Sequence, residues 1–385
     1  MKHLMHRWYR SVKSIIRGLM GYVYAKHVGQ RIRSLRLFTK IRTRMVLRKA
    51  HKQVPEEDQS VLLWADSKAF DRFEKLIKRA RHTIIVQMFI WADDVTGKWM
   101  GQLLTEAADR GVEVHIMKET VGDVFETSRD FMSTKESDDL VWKRFWNHDK
   151  IHVAHRAHAN HAKCIIIDDS VIVITGMNFA NEYRFHWHDY ALELCGKHFV
   201  RQYLAGMSSH DASNVQILVS NDGTPLMRKT IMHLLSLARR SIFLEQAYLS
   251  DPEILAALIQ ASHKKIDVTL ILPQNPDVHF NANMESVRQL LLQGSKKRMR
   301  VLLYPGMVHG KIILVDHMHA LIGSTNLIPS SLDSVGEACV LISKKPLRPL
   351  ITLRRILLKD LVKSKYIEKP PHFSFLRKML AWGQL

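Results

Sequence analysis

The chain has few cysteines and no long apolar run. Its 385 residues include three cysteines, Cys164, Cys195 and Cys339, and no C-x-x-C pair. The paired-cysteine zinc and redox motifs are therefore excluded, and the apolar surroundings of the three residues predict buried free thiols in a reducing compartment. In the N-terminal segment, the longest uncharged apolar-rich stretch is Gly18 to Ala25. That is far short of the ~20 residues that a membrane-spanning helix needs.

Acidic residues are missing altogether from residues 1–55, which contain 15 lysines and arginines. Residues 343–385 contain 11 lysines and arginines and two acids, a net charge of +9. The two ends together carry +24 of a total formal charge of +20, so residues 56–342 carry −4. A nucleic-acid enzyme needs a basic track beside its cleft. Because the positive charge lies at the two ends instead, a nucleic-acid partner is disfavoured. Basic ends mixed with apolar residues favour an anionic membrane surface, at ~1 kcal/mol per cation near the bilayer.

Apolar residues recur near helical spacing in residues 1–38, with lysines and arginines between them. The pattern predicts an amphipathic helix that lies on the membrane surface. A transit peptide and a solvated basic arm remain alternatives, whereas Arg17 interrupts the apolar stretch that a secretory signal would need. Residues 373–385 predict either a second amphipathic membrane contact or a helix docked on the body of the protein.

A set of chemically distinctive residues occurs twice, 148 positions apart. The first copy has His161, Lys163, Asp168, Asn178 and Asp189; the second has His309, Lys311, Asp316, Asn326 and Glu337. Five positions in register predict a duplicated domain with one half-site in each copy.

These residue types suit the chemistry of a phosphodiester. Histidine can attack phosphorus as a neutral imidazole or deliver a proton as an imidazolium near neutral pH. Lysine and asparagine can donate to phosphate oxygens. In each copy the segment after the histidine reads as a strand, on which residues i and i+2 share a face. If the copies pack about a pseudo-two-fold axis, two histidines, two lysines and two asparagines meet in one cleft, without a metal or other cofactor.

Alternatives remain open for several of these positions. Asn178 and Asn326 could instead stabilise turns, and Asp189 and Glu337 could form surface salt bridges. We expect Asp168 and Asp316 to organise the turns that close their strands. The histidines at every third position from 152 to 161 lack accompanying carboxylates or cysteines at metal-ligand spacing, so no metal site is predicted there. The segment from Trp91 to Asp94 could line a lipid entrance or be a plain loop.

The two motifs resemble the signature of the phospholipase D superfamily, H-x-K-x4-D followed by G-S-x-N. The second copy, HGKIILVD and then GSTN from Gly323 to Asn326, matches fully. The first, HAKCIIID and then TGMN from Thr175 to Asn178, has Thr-Gly where Gly-Ser or Gly-Gly is usual. Within the superfamily, residues 60–385 are most similar to bacterial cardiolipin synthases, although Ala162 stands where many have arginine. The resemblance implies an α/β fold of two tandem phospholipase D-like domains, each a mixed sheet flanked by helices.

The resemblance also implies a two-step phosphatidyl transfer. His161 would attack phosphatidylglycerol to form a phosphatidyl-histidine, His309 would protonate the departing glycerol, and a second phosphatidylglycerol would take the phosphatidyl group to give cardiolipin. Asp189 and Glu337 would support the histidines. The enzyme would be peripheral on the cytoplasmic face of a bacterial inner membrane. A phospholipase D hydrolase, a transferase using another acceptor alcohol, a nuclease and a non-catalytic membrane binder remain alternatives.

Strand and helix patterns alternate in the same order in both halves. In the first half we predict helices at 67–81 and 99–110 and strands at 83–90, 112–117, 162–167 and 171–175. In the second half we predict helices at 225–239 and 252–263 and strands at 241–248, 267–272 and 299–304. Residues 123–149 fit neither pattern. The predicted parts of the chain are a basic segment (1–55), two domains (56–210 and 211–342, with a linker near 208–214) and a basic amphipathic tail (343–385).

Overall fold

A computed structural model describes residues 61–119, 139–156, 160–206, 214–220, 225–343 and 348–371. The N-terminal basic segment, most of the predicted linker and residues 372–385 therefore lie outside the described residues. In the described ranges the chain forms two mixed sheets flanked by helices, which confirms the predicted fold class.

The first sheet has seven strands in the order β1-β7-β6-β5-β2-β3-β4. Its strands are β1 (Val61–Ala65), β2 (Thr83–Met88), β3 (Glu113–Glu119), β4 (Ile151–Arg156), β5 (Lys163–Ile167), β6 (Val171–Thr175) and β7 (Tyr190–Cys195). Neighbours among β2, β3 and β4 are parallel, and the other pairs are antiparallel. The helices of this half are α1 (Ser67–Arg79), α2 (Val95–Asp109), α3 (Leu140–Trp146), a π-helical turn (Glu182–His186) and α4 (Lys197–Ala205).

The second sheet repeats this order as β8-β14-β13-β12-β9-β10-β11 and adds β15 at its edge. Its strands are β8 (Val215–Val219), β9 (Ser241–Gln246), β10 (Asp267–Pro273), β11 (Met299–Tyr304), β12 (Lys311–Val315), β13 (His319–Gly323), β14 (Ala338–Ile342) and β15 (Lys365–Tyr366). The helices are α5 (Leu226–Ser236), α6 (Pro252–His263), α7 (Phe280–Gln293), α8 (Pro329–Asp333) and α9 (Arg348–Lys363). The duplication therefore extends from the motif to the whole strand topology.

The two sheets pack against each other through one apolar cluster. Its members come from both halves and include Cys164, Ile172 and Leu192 on one side and Ile312 and Val340 on the other. All five residues of β5 and all five of β12 are buried. Their sequences, KCIII and KIILV, are continuously apolar after the lysine because both faces of each strand are covered. Burying one such aliphatic side chain contributes roughly 1.5–3 kcal/mol, so the cluster holds the halves together.

The packing follows a pseudo-two-fold relation. The backbone N–H of His161 donates to the carbonyl of Gly336, and the N–H of His309 donates to the carbonyl of His188, both at 2.7 Å. The residues of one contact are related to those of the other by the same 148-residue offset that relates the motifs. Each motif thus begins against a segment of the opposite copy.

Several elements differ from the sequence prediction. Helix α2 begins at Val95 because the Asp94 carboxylate caps it, accepting from Gly97 N at 2.9 Å. Trp91 is fully buried against Trp142 and Phe179, so it does not line an entrance. The helices and strands that were not predicted include α3, α7, α9 and β4.

Part of the segment 343–385 folds onto the body as α9 and β15, and α9 buries Leu350, Leu353 and Leu357 in the cluster between the sheets. Cys164 and Cys339 are buried free thiols, as predicted, while Cys195 is partly exposed. Among the described helices, none is both long and apolar enough to cross a bilayer.

Candidate active site

Each motif histidine lies just before the strand that carries its lysine, and each contacts a carboxylate of the other copy. Nδ1 of His161 lies 3.2 and 3.3 Å from the carboxylate oxygens of Glu337 and 3.1 Å from the Ser324 carbonyl oxygen. Nδ1 of His309 lies 2.6 Å from Oδ2 of Asp189. A carboxylate at Nδ1 fixes the ring orientation and directs nucleophilic or acid–base chemistry to Nε2. In His309 this nitrogen lies 3.0 Å from Nζ of Lys311. The spacing in sequence suggests supporting carboxylates, but it does not show that the partners are exchanged between copies.

Both motif lysines are buried and bend back toward their own histidines. Nζ of Lys163 donates to the His161 carbonyl and Nζ of Lys311 to the His309 carbonyl, each at 2.6 Å. Burial lowers the pKa of Lys163 to about 7, an effect that Glu337 opposes and the charge of Lys311 reinforces. Burial lowers the pKa of Lys311 to about 8, opposed by Asp189 and Glu337. A bound phosphate would favour the charged form of both lysines, because opposite charges raise a cation's pKa.

The histidines and carboxylates belong to the same buried electrostatic environment. Burial and then the charge of the neighbouring lysine lower the pKa of both His161 and His309. Each histidine pKa is further lowered by the lysine of the other copy. Burial raises the pKa of Asp189 to about 7, opposed by Lys311. Neutral imidazoles at neutral pH suit nucleophilic attack. The contact of each histidine with a carboxylate of the other copy brings the two half-sites together.

The two asparagines are not equivalent. Oδ1 of Asn178 accepts from the Ile90 N–H at 3.0 Å, and its Nδ2 donates to the Tyr183 hydroxyl at 2.7 Å. Asn178 therefore stabilises the loop after β2, although its amide retains a second N–H. Asn326 is 4% exposed, and among the described residues none donates a hydrogen bond to its Oδ1. The oxygen end of the Asn326 amide is therefore not held as that of Asn178 is.

Asp168 and Asp316 have the same local role in both copies. Each has positive φ, 49° and 50° respectively, directly after its motif strand. The carboxylate of Asp168 accepts from the backbone N–H groups of residues 81, 82 and 83, and that of Asp316 from those of residues 239, 240 and 241. These bonds tie the end of the motif strand to the start of the strand beside it, so both side chains organise turns.

Aromatic side chains cover the histidine rings, and sequence reasoning missed them. Phe89 meets His161 edge-on with ring centroids 4.9 Å apart, and Nζ of Lys163 lies 5.0 Å from the centre of the Phe89 ring. Tyr183 meets His309 edge-on at 5.0 Å, and Trp187 stacks on it at 5.4 Å. A usable signal was that Tyr183 and Trp187 lie between Asn178 and Asp189. Apolar walls exclude water and strengthen the electrostatic contacts inside.

The glycine of the first Thr-Gly-x-Asn motif, Gly176, has a steric explanation. A Cβ on Gly176 would lie 2.6 Å from Oδ1 of Asp189. The equivalent residue of the second copy, Ser324, donates its hydroxyl to Glu337. The first half-site therefore combines glycine with a shorter carboxylate, and the second combines serine with a longer one.

Comparisons with known proteins identify the family of this chain. A family model described as the phospholipase D-like domain of cardiolipin synthase matches residues 73–210 and 231–352. The cardiolipin synthase of Halalkalibacterium halodurans is 25% identical over 319 residues, which cover 74% of this chain and 62% of the relative. Cardiolipin synthase B of Escherichia coli K12 is 26% identical over 304 residues, covering 70% and 72% respectively. The chain thus spans about three fifths of the length of the first relative.

Among solved structures, the phosphatidylserine synthase of Haemophilus influenzae Rd KW20 superposes with a TM-score of 0.66 at 13% identity. The match covers 89% of this chain and 96% of that one, and at this identity it shows a shared fold. The family model includes both motifs and more than half of the chain. The chain belongs to the phospholipase D-like domain family of cardiolipin synthases.

Proposed function

We propose that this protein is a phosphatidyltransferase of the phospholipase D type that makes cardiolipin from two molecules of phosphatidylglycerol. The observation that carries the proposal is the exchange of partners: each motif histidine contacts a carboxylate of the other copy. Two buried lysines lie beside these pairs. Membership of the family and the names of the curated relatives support phosphatidyl transfer as the reaction.

In the first step, Nε2 of His161 attacks phosphorus while the bond from phosphorus to the glycerol oxygen breaks. We assign this role to His161 because its side chain is 15% exposed, against 4% for His309, and its carboxylate contact is longer. His309 gives its proton to the leaving oxygen. The negative charge of the substrate and the Asp189 carboxylate 2.6 Å away favour the protonated imidazole that this step needs.

In the second step, a hydroxyl of another phosphatidylglycerol passes its proton to His309 and attacks phosphorus, and the bond to His161 breaks. Cardiolipin leaves, and both histidines return to their starting states. Lys163, Lys311 and the Asn326 amide would hold the phosphate oxygens as negative charge develops. Splitting the transfer into two displacements lets one site accept both alcohols in turn.

The outward side of α9 supports a membrane surface as the place of reaction. Ile351, Leu358 and Val362 are 42%, 62% and 88% exposed, and at ~100° per residue they lie on a single stripe. Exposed cations flank the stripe: Arg348, Arg354, Arg355, Lys359 and Lys363. The one acid of this helix, Asp360, is buried on the opposite side. An apolar stripe between cations fits an anionic bilayer, so we propose peripheral binding on the cytoplasmic face of a bacterial inner membrane.

The reaction can be tested with the purified full chain on phosphatidylglycerol vesicles, with products identified by mass spectrometry. Cardiolipin and glycerol in equal amounts are expected. Phosphatidic acid as the main product would instead identify a hydrolase, and a new lipid formed only after adding another alcohol would identify a different acceptor. No product at all would overturn the proposal of an enzyme acting on this lipid.

The membrane-facing role of α9 can be tested separately with a Leu358→Asn, Val362→Asn double variant. We expect weaker binding to phosphatidylglycerol vesicles in a sedimentation assay and unchanged turnover in detergent micelles. Leu292→Asn is the matched control, because Leu292 is 57% exposed on α7, away from the stripe. If the control and the double variant bind vesicles equally well, α9 does not contact the bilayer.

A further inference from the structure

A second cluster of titratable groups lies at the junction of the two halves and α9. His188 precedes β7, Glu245 is on β9 and Asp360 is on α9. One donor atom from each of the three lies within 4.8 Å of the others. All three side chains are at least 94% buried. None of them belongs to the duplicated motif.

Nε2 of His188 lies near three oxygen atoms, more than its single N–H can donate a good hydrogen bond to. The hydroxyl of Tyr190 lies at 2.9 Å, Oδ2 of Asp360 at 3.2 Å and Oε1 of Glu245 at 3.7 Å. The Tyr190 hydroxyl donates to Oε1 of Glu245 at 2.7 Å. Among the described residues, Oε2 of Glu245 has no hydrogen-bond donor, and Oδ2 of Asp360 has none besides Nε2 of His188, for which the Tyr190 hydroxyl competes. Buried carboxylate oxygens without a partner are costly and call for a cation or a proton.

The first half of the molecule shows how the same position is satisfied without charge. Glu245 is the residue of β9 equivalent to Gln87 of β2. The amide of Gln87 donates to Asn160 at 2.8 Å, and its oxygen accepts from Tyr203 at 2.8 Å. Both ends of that amide are therefore paired. Around Glu245 this neutral network is replaced by a second carboxylate, Asp360 of α9, and by His188 of the first half. Burial raises the pKa of Glu245 to about 7.

We propose that His188, Glu245 and Asp360 form a structural site for a divalent transition-metal ion such as Zn²⁺ or Mn²⁺. Ligands about 2.0–2.2 Å from one ion lie roughly 3–4.4 Å apart. Nε2 of His188 lies 3.2 Å from Oδ2 of Asp360 and 3.7 Å from Oε1 of Glu245, both within that range. One imidazole and two carboxylates form a mixed set that suits such ions. The Tyr190 hydroxyl, next to both Nε2 and Oε1, is placed to act as a further ligand.

The surroundings of His188 fit this role. Its Nδ1 lies 2.6 Å from Oδ1 of Asp66. A carboxylate on the second ring nitrogen orients a metal-binding histidine and makes it more basic. The carbonyl of His188 accepts from the backbone N–H of His309, so the ion would stabilise the start of the second catalytic motif. It would also join both halves of the chain to α9.

The test uses the purified full chain, stripped with EDTA and then supplied with Zn²⁺ or Mn²⁺ separately. Bound metal is measured by mass spectrometry of the elements after gel filtration, and thermal unfolding is followed by circular dichroism. We expect about one ion per chain and a higher unfolding temperature with the metal. Glu245→Gln, which copies Gln87 of the first half, and Asp360→Asn should bind at least tenfold less tightly and lose the thermal shift.

Asp267→Asn is the matched control, since Asp267 is a 43% exposed acid at the start of β10. It should bind metal as the wild type does. Should the two buried variants fail to fold, Asp66→Asn keeps all three ligands and should weaken binding about 10–100-fold. Less than about one tenth of an ion per wild-type chain with both metals would overturn the proposal and assign protons to these carboxylates. Equal metal binding by Glu245→Gln and the wild type would also overturn it.

Discussion

The two halves of the site differ although their motifs are in register. His309 is the more enclosed histidine, stacked on Trp187 and 2.6 Å from Asp189. His161 is more exposed, and its Nδ1 divides its contacts between Glu337 and the Ser324 carbonyl. Asn178 is bonded at both ends of its amide, whereas Asn326 has an oxygen without a donor. The difference teaches that duplication preserved the residues while their surroundings diverged, which fits the separate roles proposed for the two histidines.

Replacing either histidine by alanine should have the largest effect. Both His161→Ala and His309→Ala should lower cardiolipin formation by at least ~10⁴-fold, because each step needs both rings. A substrate with a p-nitrophenol leaving group needs no proton from the enzyme, so it separates the two roles. His309→Ala should release a burst of p-nitrophenol and accumulate a phosphatidyl-enzyme, and His161→Ala should do neither. A burst from His161→Ala alone would reverse the assignment.

Replacing the exchanged carboxylates, Asp189 and Glu337, should give the next largest losses of activity. The two losses should differ in size. Asp189→Asn removes the charge closest to His309 and should lower kcat/KM by roughly 10²–10⁴-fold. Glu337→Gln should cost less, because the Ser324 carbonyl still contacts Nδ1 of His161. Steady-state rates on phosphatidylglycerol vesicles measure both. Equal losses would show that the two half-sites support their histidines in the same way.

Exchanging the small residue between the copies should have an intermediate effect. Gly176→Ser places a side chain against the Asp189 carboxylate and should lower the free energy of unfolding by about 1–3 kcal/mol. The double variant Gly176→Ser, Asp189→Glu recreates the pairing of the second copy and should recover part of the lost activity. Denaturant unfolding measures the loss of stability, and kcat/KM measures the recovered activity. If the double variant is no better than Gly176→Ser alone, the two residues do not compensate each other.

The two lysines should differ in the pH at which their charge is lost, which is the smallest of the expected effects and the most specific to one residue. A lysine is charged below its pKa, so kcat/KM should fall as pH rises through about 7 for Lys163 and about 8 for Lys311. The negative charges of Glu337 and Asp189 raise the pKa of both lysines and so oppose the effect of burial. In Lys163→Ala the residual activity should fall near pH 8. In Lys311→Ala it should fall above pH 7, because the variant removes a charge that lowers the pKa of Lys163. A pH profile that stays flat to pH 10 in the wild type would contradict the burial of these charges.

The regular parts of the fold could be predicted from sequence because their apolar patterns are local. The strands before and after each motif, and helices such as α6, carry continuous or periodic apolar residues. Helix α7 was missed because it buries Asn283 and Ser286, whose side chains bond the backbone of residues 247 and 249. The short helix α3 was missed because its seven residues give too little periodicity to recognise.

The site was predictable as a set of residues and much less so as a set of contacts. The duplicated spacing identified the histidines and lysines, since a strand places i and i+2 on one face. It could not reveal which copy supplies each carboxylate, because that depends on how the sheets pack. Nor could it bring together His188, Glu245 and Asp360, which lie on three separate parts of the chain.

The crossed backbone contacts at Gly336 and His188 have a consequence for how such a chain could arise. A single ancestral copy would have offered a histidine without its carboxylate, and only a symmetric dimer of that copy would have been complete. Joining two genes end to end would have freed each copy to mutate alone. If the two halves were made as separate polypeptides, one intact and one inactivated, they would therefore restore activity together only to the extent that each half still pairs with the other as the ancestral copies did.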